Sequence, residues 1–248
     1  MRRIDLNCDM GEGYPNDAEL MKYISSTNVA CGFHAGDATT MSDTVQLALE
    51  SSVAIGAHPG YRDLENFGRL EMSLRPKEVF DIVTDQIAAL SDICNAHGAA
   101  LHHVKPHGAL YNQAARDKEL AASIAEAVLS VDDKLILYGL SGSLMISEAE
   151  SIGLRTASEV FADRTYRADG SLTPRNQPDA LIVDSGRALA QVLQMVEKQQ
   201  VTISDGCETI PIRAETICIH GDGDHAVDFA QAIAEALARA GVRVSSPV

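Results

Sequence analysis

At 248 residues the chain suits one α/β barrel, or at most two smaller domains, and can bury a core without disulfide or metal staples. Its 20 basic and 35 acidic residues leave a formal charge of -15, which repels nucleic acid, while 4% aromatic content with no Trp argues against grooves built on stacked rings. Five cysteines, with no CxxC pair, fit a reducing cytoplasm, and neither a signal segment nor a bilayer-spanning run is legible.

The first predicted strand, Ile4-Asp5-Leu6-Asn7-Cys8-Asp9, carries Asp5, Asn7 and Asp9 at alternate positions, so all three project to one side. Polar groups there either face a functional cavity or anchor a buried hydrogen-bond network. Gly11-Glu12-Gly13 follows, then a short helix over 18–23 capped by Asn16-Asp17. A second strand around 28–33 ends in His34 and leads to a helix near 41–51. Strand three, 53–57, ends in His58 and opens a long loop with Gly60, Arg62, Gly68 and Arg69. Pro76 then starts a helix whose Val79, Ile82, Val83, Ile87 and Leu90 keep a 3.6-residue period.

Strand four is read as 100–104, running into Lys105-Pro106-His107-Gly108, with a helix at 117–130 after it. Strand five (135–138), a helix near 143–152 and strand six (154–160) precede a polar loop over 161–179 with Arg164, Arg167 and Arg175. A helix over 184–199 leads to a small hairpin insertion near 201–213 around Asp205-Gly206. The strand 216–219 ends in His220-Gly221-Asp222, and an Ala-rich helix (225–240) and a short strand at 242–244 close the chain. Seven strand–helix units, with neither Gly-x-Gly-x-x-Gly nor a Walker lysine motif, predict a single (β/α)7 TIM-like barrel domain over 1–248.

Apolar strands ending in His, Asp or Lys at one rim bring scattered side chains into one pocket. His34, His58, His107 and His220 each end an apolar run, and imidazole serves proton transfer or metal binding equally. Asp9 with His34 and His58 makes a candidate metal face, although no HExxH spacing fixes a metal set. Lys105 stabilises an oxyanion or phosphate, acts as a base, or is an ion pair with Asp5, Asp9 or Glu159. Arg164 is a candidate clamp for an anionic group. Cys8 and Cys31 read as packing residues, and no Gly-x-Ser-x-Gly elbow indicates a serine hydrolase.

These residues fall in long motifs: Asp5-Leu6-Asn7-Cys8-Asp9-Met10-Gly11-Glu12, Asn28-Val29-Ala30-Cys31-Gly32-Phe33-His34-Ala35-Gly36-Asp37, Gly56-Ala57-His58-Pro59-Gly60-Tyr61 and Phe67-Gly68-Arg69. Val104-Lys105-Pro106-His107-Gly108-Ala109-Leu110-Tyr111-Asn112, the segment from Glu159 to Tyr166, and Ile219-His220-Gly221-Asp222 complete the set. In these motifs the chain closely resembles the LamB/YcsF family. The resemblance implies a barrel similar to the glycoside hydrolase/deacetylase superfamily and ATP-dependent opening of 5-oxoproline to L-glutamate together with B and C subunits. It places Asp5, Asn7, Asp9, His34, His58, Lys105, His107, Glu159 and His220 in catalysis, and Glu12, Arg69, Arg164 and Asp222 at the substrate. ATP would be consumed by the complex, a divalent metal is possible, and neither nucleic acid nor membrane is an expected partner. The alternatives are a metal-dependent amidase or deacetylase working without ATP, and a non-catalytic metabolite-binding subunit.

Overall fold

A computed structural model describes residues 2–219 and 226–248. In chain order the elements are β1 (Arg2–Met10), α1 (Asp17–Leu20), β2 (Ser26–Ala30), α2 (Ala38–Ser51), β3 (Ala54–His58) and α3 (Pro76–Ala96). Then come β4 (His103–Val104), α4 (Gly108–Ala114), α5 (Lys118–Val131), β5 (Ile136–Leu140), α6 (Leu144–Ser151), β6 (Arg155–Phe161) and α7 (Ser185–Lys198). The hairpin strands β7 (Gln200–Thr202) and β8 (Thr209–Pro211), then β9 (Thr216–Ile219), α8 (Ala226–Arg239) and β10 (Val242–Val244) finish the fold.

Strands β1 to β6 and β9 pair in parallel in that order, and β9 pairs back onto β1, closing the seven-stranded barrel that the alternation of elements predicts. The seam sets Asp5 opposite Thr216 and Thr216 opposite Glu159, while Asp9 faces Asn28 on the other flank of β1. This stagger is how a closed barrel meets itself. The last strand, β10, adds to the start of β1 outside the ring, with Arg2 opposite Val242. The antiparallel β7–β8 pair is the expected hairpin insertion. Among the described residues no helix is long and apolar enough to cross a membrane.

Two alternating faces of each strand split the interior into unlike regions. Ile4, Leu6 and Met10 of β1, Val29, Ala57, Val104, Leu137, Val160 and Ile217 belong to one large apolar core with Val45, Val83, Ile87, Leu90, Ile124 and Ile233 of the surrounding helices. The opposite parity fills the barrel with buried polar groups: Asp5, Asn7, Ser26, Asn28, His58, His103, Glu159 and Thr216. Among the described residues, Ile136, Tyr138 and Ala157 form a separate apolar cluster there. A polar interior costs several kcal/mol unless it is paired, and it is paired closely. Asp5 accepts from Ser25 (2.6 Å), Ser26 (2.8 Å) and Thr216 (2.7 Å), yet burial still outweighs these bonds and raises its carboxyl.

The sequence reading differs from the structure at three points. Strand β2 stops at Ala30 rather than running to residue 33, because the Gly32 N–H turns back to the Ala35 carbonyl. Strand β4 is two residues long, not five. Its interior-facing residue, His103, is a large ring that donates from Nε2 to Asn28 Oδ1 at 2.8 Å and stacks on Tyr138. Helix α4 lies where Pro106 and Gly108 read as loop; His107, extended, is its N-cap residue, and the buried Leu110, Tyr111 and Ala114 hold it.

The bare backbone of β3 makes room for that ring. A methyl group at Gly56 would fall 2.1 Å from His103 Nε2, in the barrel interior where nothing can yield. Gly56→Ala is expected to destabilise the protein by about 3 kcal/mol, measured by urea denaturation. His103 also predicts a pH dependence. Burial, then the neighbouring His102 and Lys105 charges, hold it well below 6.5, so the native state keeps it neutral while the unfolded chain takes up a proton. Its contribution is complete above about pH 6.5 and is lost as pH falls below it, at a slope of up to about 1.4 kcal/mol per pH unit. His103→Gln, uncharged throughout, is expected to flatten the fall in unfolding free energy between pH 8 and 5, whatever it does to stability at pH 8.

Candidate active site

Strands β1, β3, β4, β6 and β9 end around one buried cation. Lys105, 2% exposed just beyond β4, donates from Nζ to Asp9 Oδ1 at 2.9 Å and Asn7 Oδ1 at 3.2 Å, and lies 3.1 Å from Glu159 Oε1 and from Cys218 Sγ. Burial works against its charge, but Asp9 and Glu159 outweigh it and hold the ammonium well above its ordinary value. Burial also pushes the Cys218 thiol well up, so sulfur meets Lys105 as a neutral acceptor. The same cation sets the amides around it. With Oδ1 accepting from Lys105, Asn7 donates from Nδ2 to Glu159 Oε1 (2.9 Å) and Thr216 Oγ1 (2.7 Å). Asn28 donates to Asn7 Oδ1 and Asp9 Oδ1, both at 2.8 Å.

A second group adjoins the first through Asp9, whose Oδ2 is 3.4 Å from His58 Nε2. Glu12, carried on the turn after β1, brings Oε1 to 3.3 Å from His34 Nε2, 3.5 Å from His107 Nδ1 and 3.9 Å from His58 Nε2. His34 and His107 stack with ring centroids 3.8 Å apart, and His58 meets both edge-on. The four side chains converge, each offering one donor atom within 4.8 Å of the others.

Backbone carbonyls fix the imidazole tautomers. His58 Nδ1 is 2.7 Å from the Lys105 carbonyl and His107 Nε2 is 2.9 Å from the Phe67 carbonyl, so both of those nitrogens carry the hydrogen. The remaining lone pairs, on His58 Nε2 and His107 Nδ1, then point at each other across 2.9 Å. Two bare nitrogens at that distance repel unless a cation, proton or metal ion, lies between them. Burial first, then the neighbouring histidines, holds His107 well below its ordinary value, and burial also lowers His34, which disfavours a proton there. Three imidazoles and a carboxylate are a donor set for a first-row divalent ion, so Glu12, His34, His58 and His107 fit a metal.

The loop after β3 presses its backbone onto these rings. A methyl group at Gly68, where φ is +63°, would sit 2.8 Å from His34 Cβ and 3.0 Å from His107 Cδ2. That approach is what delivers the Phe67 carbonyl to His107, while the Phe67 ring lies edge-on to His34 and His107 and supports the Arg69 guanidinium 4.9 Å above its centroid.

The sequence candidates are therefore gathered unequally. Asn7, Asp9, Lys105 and Glu159 form the lysine group; His34, His58, His107 and Glu12 form the other. Glu12, read from sequence as a substrate contact, and His107 complete the cluster at His34 and His58; Asp9, read as a metal candidate, sits between the groups, hydrogen-bonded by Lys105. Asp5 lies deeper in the barrel among its hydroxyl partners. Arg164 is buried with Nη2 donating to the Thr173 carbonyl (2.6 Å) and Nε to the Ala180 carbonyl (3.3 Å), so those donors hold the long loop after β6. His220 and Asp222 lie outside the described residues. Sequence reasoning passed over Asn28, though Ser26 and Asn28 alternate as Asp5, Asn7 and Asp9 do.

The LamB/YcsF family matches residues 4–248 of this chain. The A subunit of 5-oxoprolinase from Brevibacillus brevis is 55% identical over 251 residues, covering 99% of this chain and 98% of that protein. The crystal structure of a lactam utilization protein from Thermus thermophilus superposes with a TM-score of 0.92 at 44% identity, covering 99% of this chain and all of that one. A family 4 carbohydrate esterase from Streptomyces lividans shares the fold alone, at 11% identity and a TM-score of 0.50 over 99% of this chain and 92% of that one.

The histidine–glutamate cluster makes a direct prediction. Metal-free protein titrated with Co²⁺, Mn²⁺ and Zn²⁺ is expected to bind one ion per chain. Glu12→Gln and His107→Asn should each weaken it at least tenfold, whereas Asp5→Asn should not; calorimetry with elemental analysis measures both.

Proposed function

The chain belongs to the LamB/YcsF family, and from that membership we propose that it is the A subunit of a cytoplasmic, ATP-dependent 5-oxoprolinase. In this reading the chain is one barrel domain that opens the ring of 5-oxo-L-proline to give L-glutamate, working with B and C subunits. A five-membered lactam is a stable amide, so phosphoryl transfer from ATP makes its opening feasible; with no phosphate-binding motif legible in this chain, that step is assigned to the partners.

The observation that carries the reading is the position of Asp9. It accepts from the Lys105 ammonium with one oxygen and faces His58 Nε2 with the other, so a cation and an imidazole stand side by side. Lys105, fixed by Asp9, Glu159 and Asn7, is preorganised to meet negative charge developing on the carbonyl oxygen or an activated derivative of it. His58, with its Nδ1 hydrogen committed to a carbonyl, offers Nε2 to a water proton, and Glu12 and His107 lie next to it to pass that proton on. A divalent ion at the cluster would polarise a carbonyl or acidify a bound water. Asn7 and Asn28 keep the carboxylates and the ammonium in register. In this reading Arg69, above the Phe67 ring, meets the substrate carboxylate.

A second reading, a metal-dependent amidase that needs no ATP, is favoured by the convergence of Glu12, His34, His58 and His107. One assay separates the two. The chain mixed with its candidate partner subunits, 5-oxoproline and ATP is expected to form glutamate, with none when ATP or this chain is left out. Glutamate from this chain alone, abolished by a chelator, would instead establish the amidase. In the complete mixture Lys105→Met is expected to lower turnover at least a hundredfold. Two carboxylates left without their cation should also cost about 3–5 kcal/mol of stability, so circular dichroism must show that the variant is folded.

A further inference from the structure

The donor–acceptor order that begins at Lys105 runs on past His103. With the Nε2 hydrogen of His103 given to Asn28 Oδ1, its Nδ1 is a bare acceptor. That atom lies 3.1 Å from Nδ1 of His102, the half-buried residue before β4. The far nitrogen of His102, Nε2, lies 2.9 Å from the Pro247 carbonyl, which only accepts. Both nitrogens of one ring must therefore donate, and a neutral imidazole carries a single hydrogen. Turning Asn28 over to reverse the order would set its oxygen against Asn7 Oδ1 and Asp9 Oδ1, the two atoms its nitrogen now serves. An imidazolium at His102 satisfies every contact.

Pro247 lies in segment 245–248, which follows β10 with a bond from the Ser245 N–H to the Ile4 carbonyl (3.0 Å) and passes from β1 to the start of β4. It crosses the end of the barrel opposite the active site, beside a cavity of about 540 Å³ walled in part by Asp5, Ile136 and Ala157. We propose that protonated His102 is a clasp holding this segment as a strap, closed while the ring keeps both hydrogens and open when one leaves. His103 is buried and locked to Asn28, and the His102 backbone is bonded to Ile55 of β3 and Ile136 of β5, so the strap is the part that gives way. The sign is the reverse of that at His103: this contact is made at low pH and lost as pH rises through the range in which imidazoles titrate. The bonded positions on β3 and β5 are uncharged. The charged groups around the clasp are His103 and Lys105 on its own strand, with Arg3 and Asp5 of β1, Arg155 of β6, Glu150 of α6, Glu215 before β9 and the carboxylate of Val248 about the cavity.

Long-range proton–nitrogen NMR of the imidazoles in the full chain, with His102→Gln assigning the signals, reads the hydrogens directly. At pH 5.5 both nitrogens of His102 are expected in the charged form, and titration to pH 9 should convert the ring to the form with one hydrogen. A nitroxide at Ser246→Cys, in a Cys207→Ser background because the other four cysteines are buried, reads the strap. Its rotational correlation time by electron paramagnetic resonance should fall at least threefold with the same midpoint, and His102→Gln should abolish that pH dependence. A ring that is neutral at pH 5.5, or still charged at pH 9, would overturn the proposal. So would a label whose mobility stays constant across the His102 titration, or whose transition survives in His102→Gln, the mark of Glu150, Glu215 or the Val248 carboxylate acting instead. The two wild-type-ring measurements decide the matter even where His102→Gln does not fold.

Discussion

A single ammonium inside the barrel sets the orientation of nearly everything around it. Lys105 can only donate, so the oxygen of Asn7 must face it, and the Asn7 amide nitrogen must then turn to Glu159 and Thr216. Asn28 follows in turn: its nitrogen serves Asn7 and Asp9, its oxygen is left for His103, and the hydrogen of His103 is thereby fixed on Nε2. Donor and acceptor roles propagate from one buried charge through several strands. Such a network is stable only when complete, because a charge or amide left unpaired at this depth costs more than a well-made pair returns.

This arrangement inverts the usual contents of a small barrel. The large apolar core lies between strands and helices, and the barrel interior is a polar column with a small apolar cluster of Ile136, Tyr138 and Ala157. Polar groups along that column reach the rim with their partners already in place, so the site at the strand ends continues the network beneath it. Asp5 and its hydroxyl partners, lower down, belong to this supporting layer.

The rim adds a second, differently built group. Its rings are stacked and edge-packed, their tautomers are dictated by the carbonyls of Lys105 and Phe67, and the loop carrying Phe67 reaches them only because Gly68 has no side chain. Backbone packing and proton placement are therefore one constraint: displacing the loop would free His107 Nε2 and release the lone pair now aimed at His58. Asp9 joins the groups, so a change at the ammonium is felt at the imidazoles within a few ångströms.

Much of this was legible in the residues. Alternation along Asp5, Asn7 and Asp9 announced a polar interior face, and strands ending in His or Lys announced a shared rim, because a strand's two-residue period fixes which side chains share a face. The length of β4, the helix after His107 and the loop contacts of Arg164 were not legible, since they depend on partners apart in the chain: His103 on Asn28 and Tyr138, Arg164 on Thr173 and Ala180. By itself the sequence determined the order of the barrel strands, the closed barrel and several of the ionisable residues at its mouth. Only tertiary structure decided that Glu12 joins the histidines while Asp9 stays with Lys105, because that choice rests on ångström-scale distances between turns that no spacing along the chain encodes.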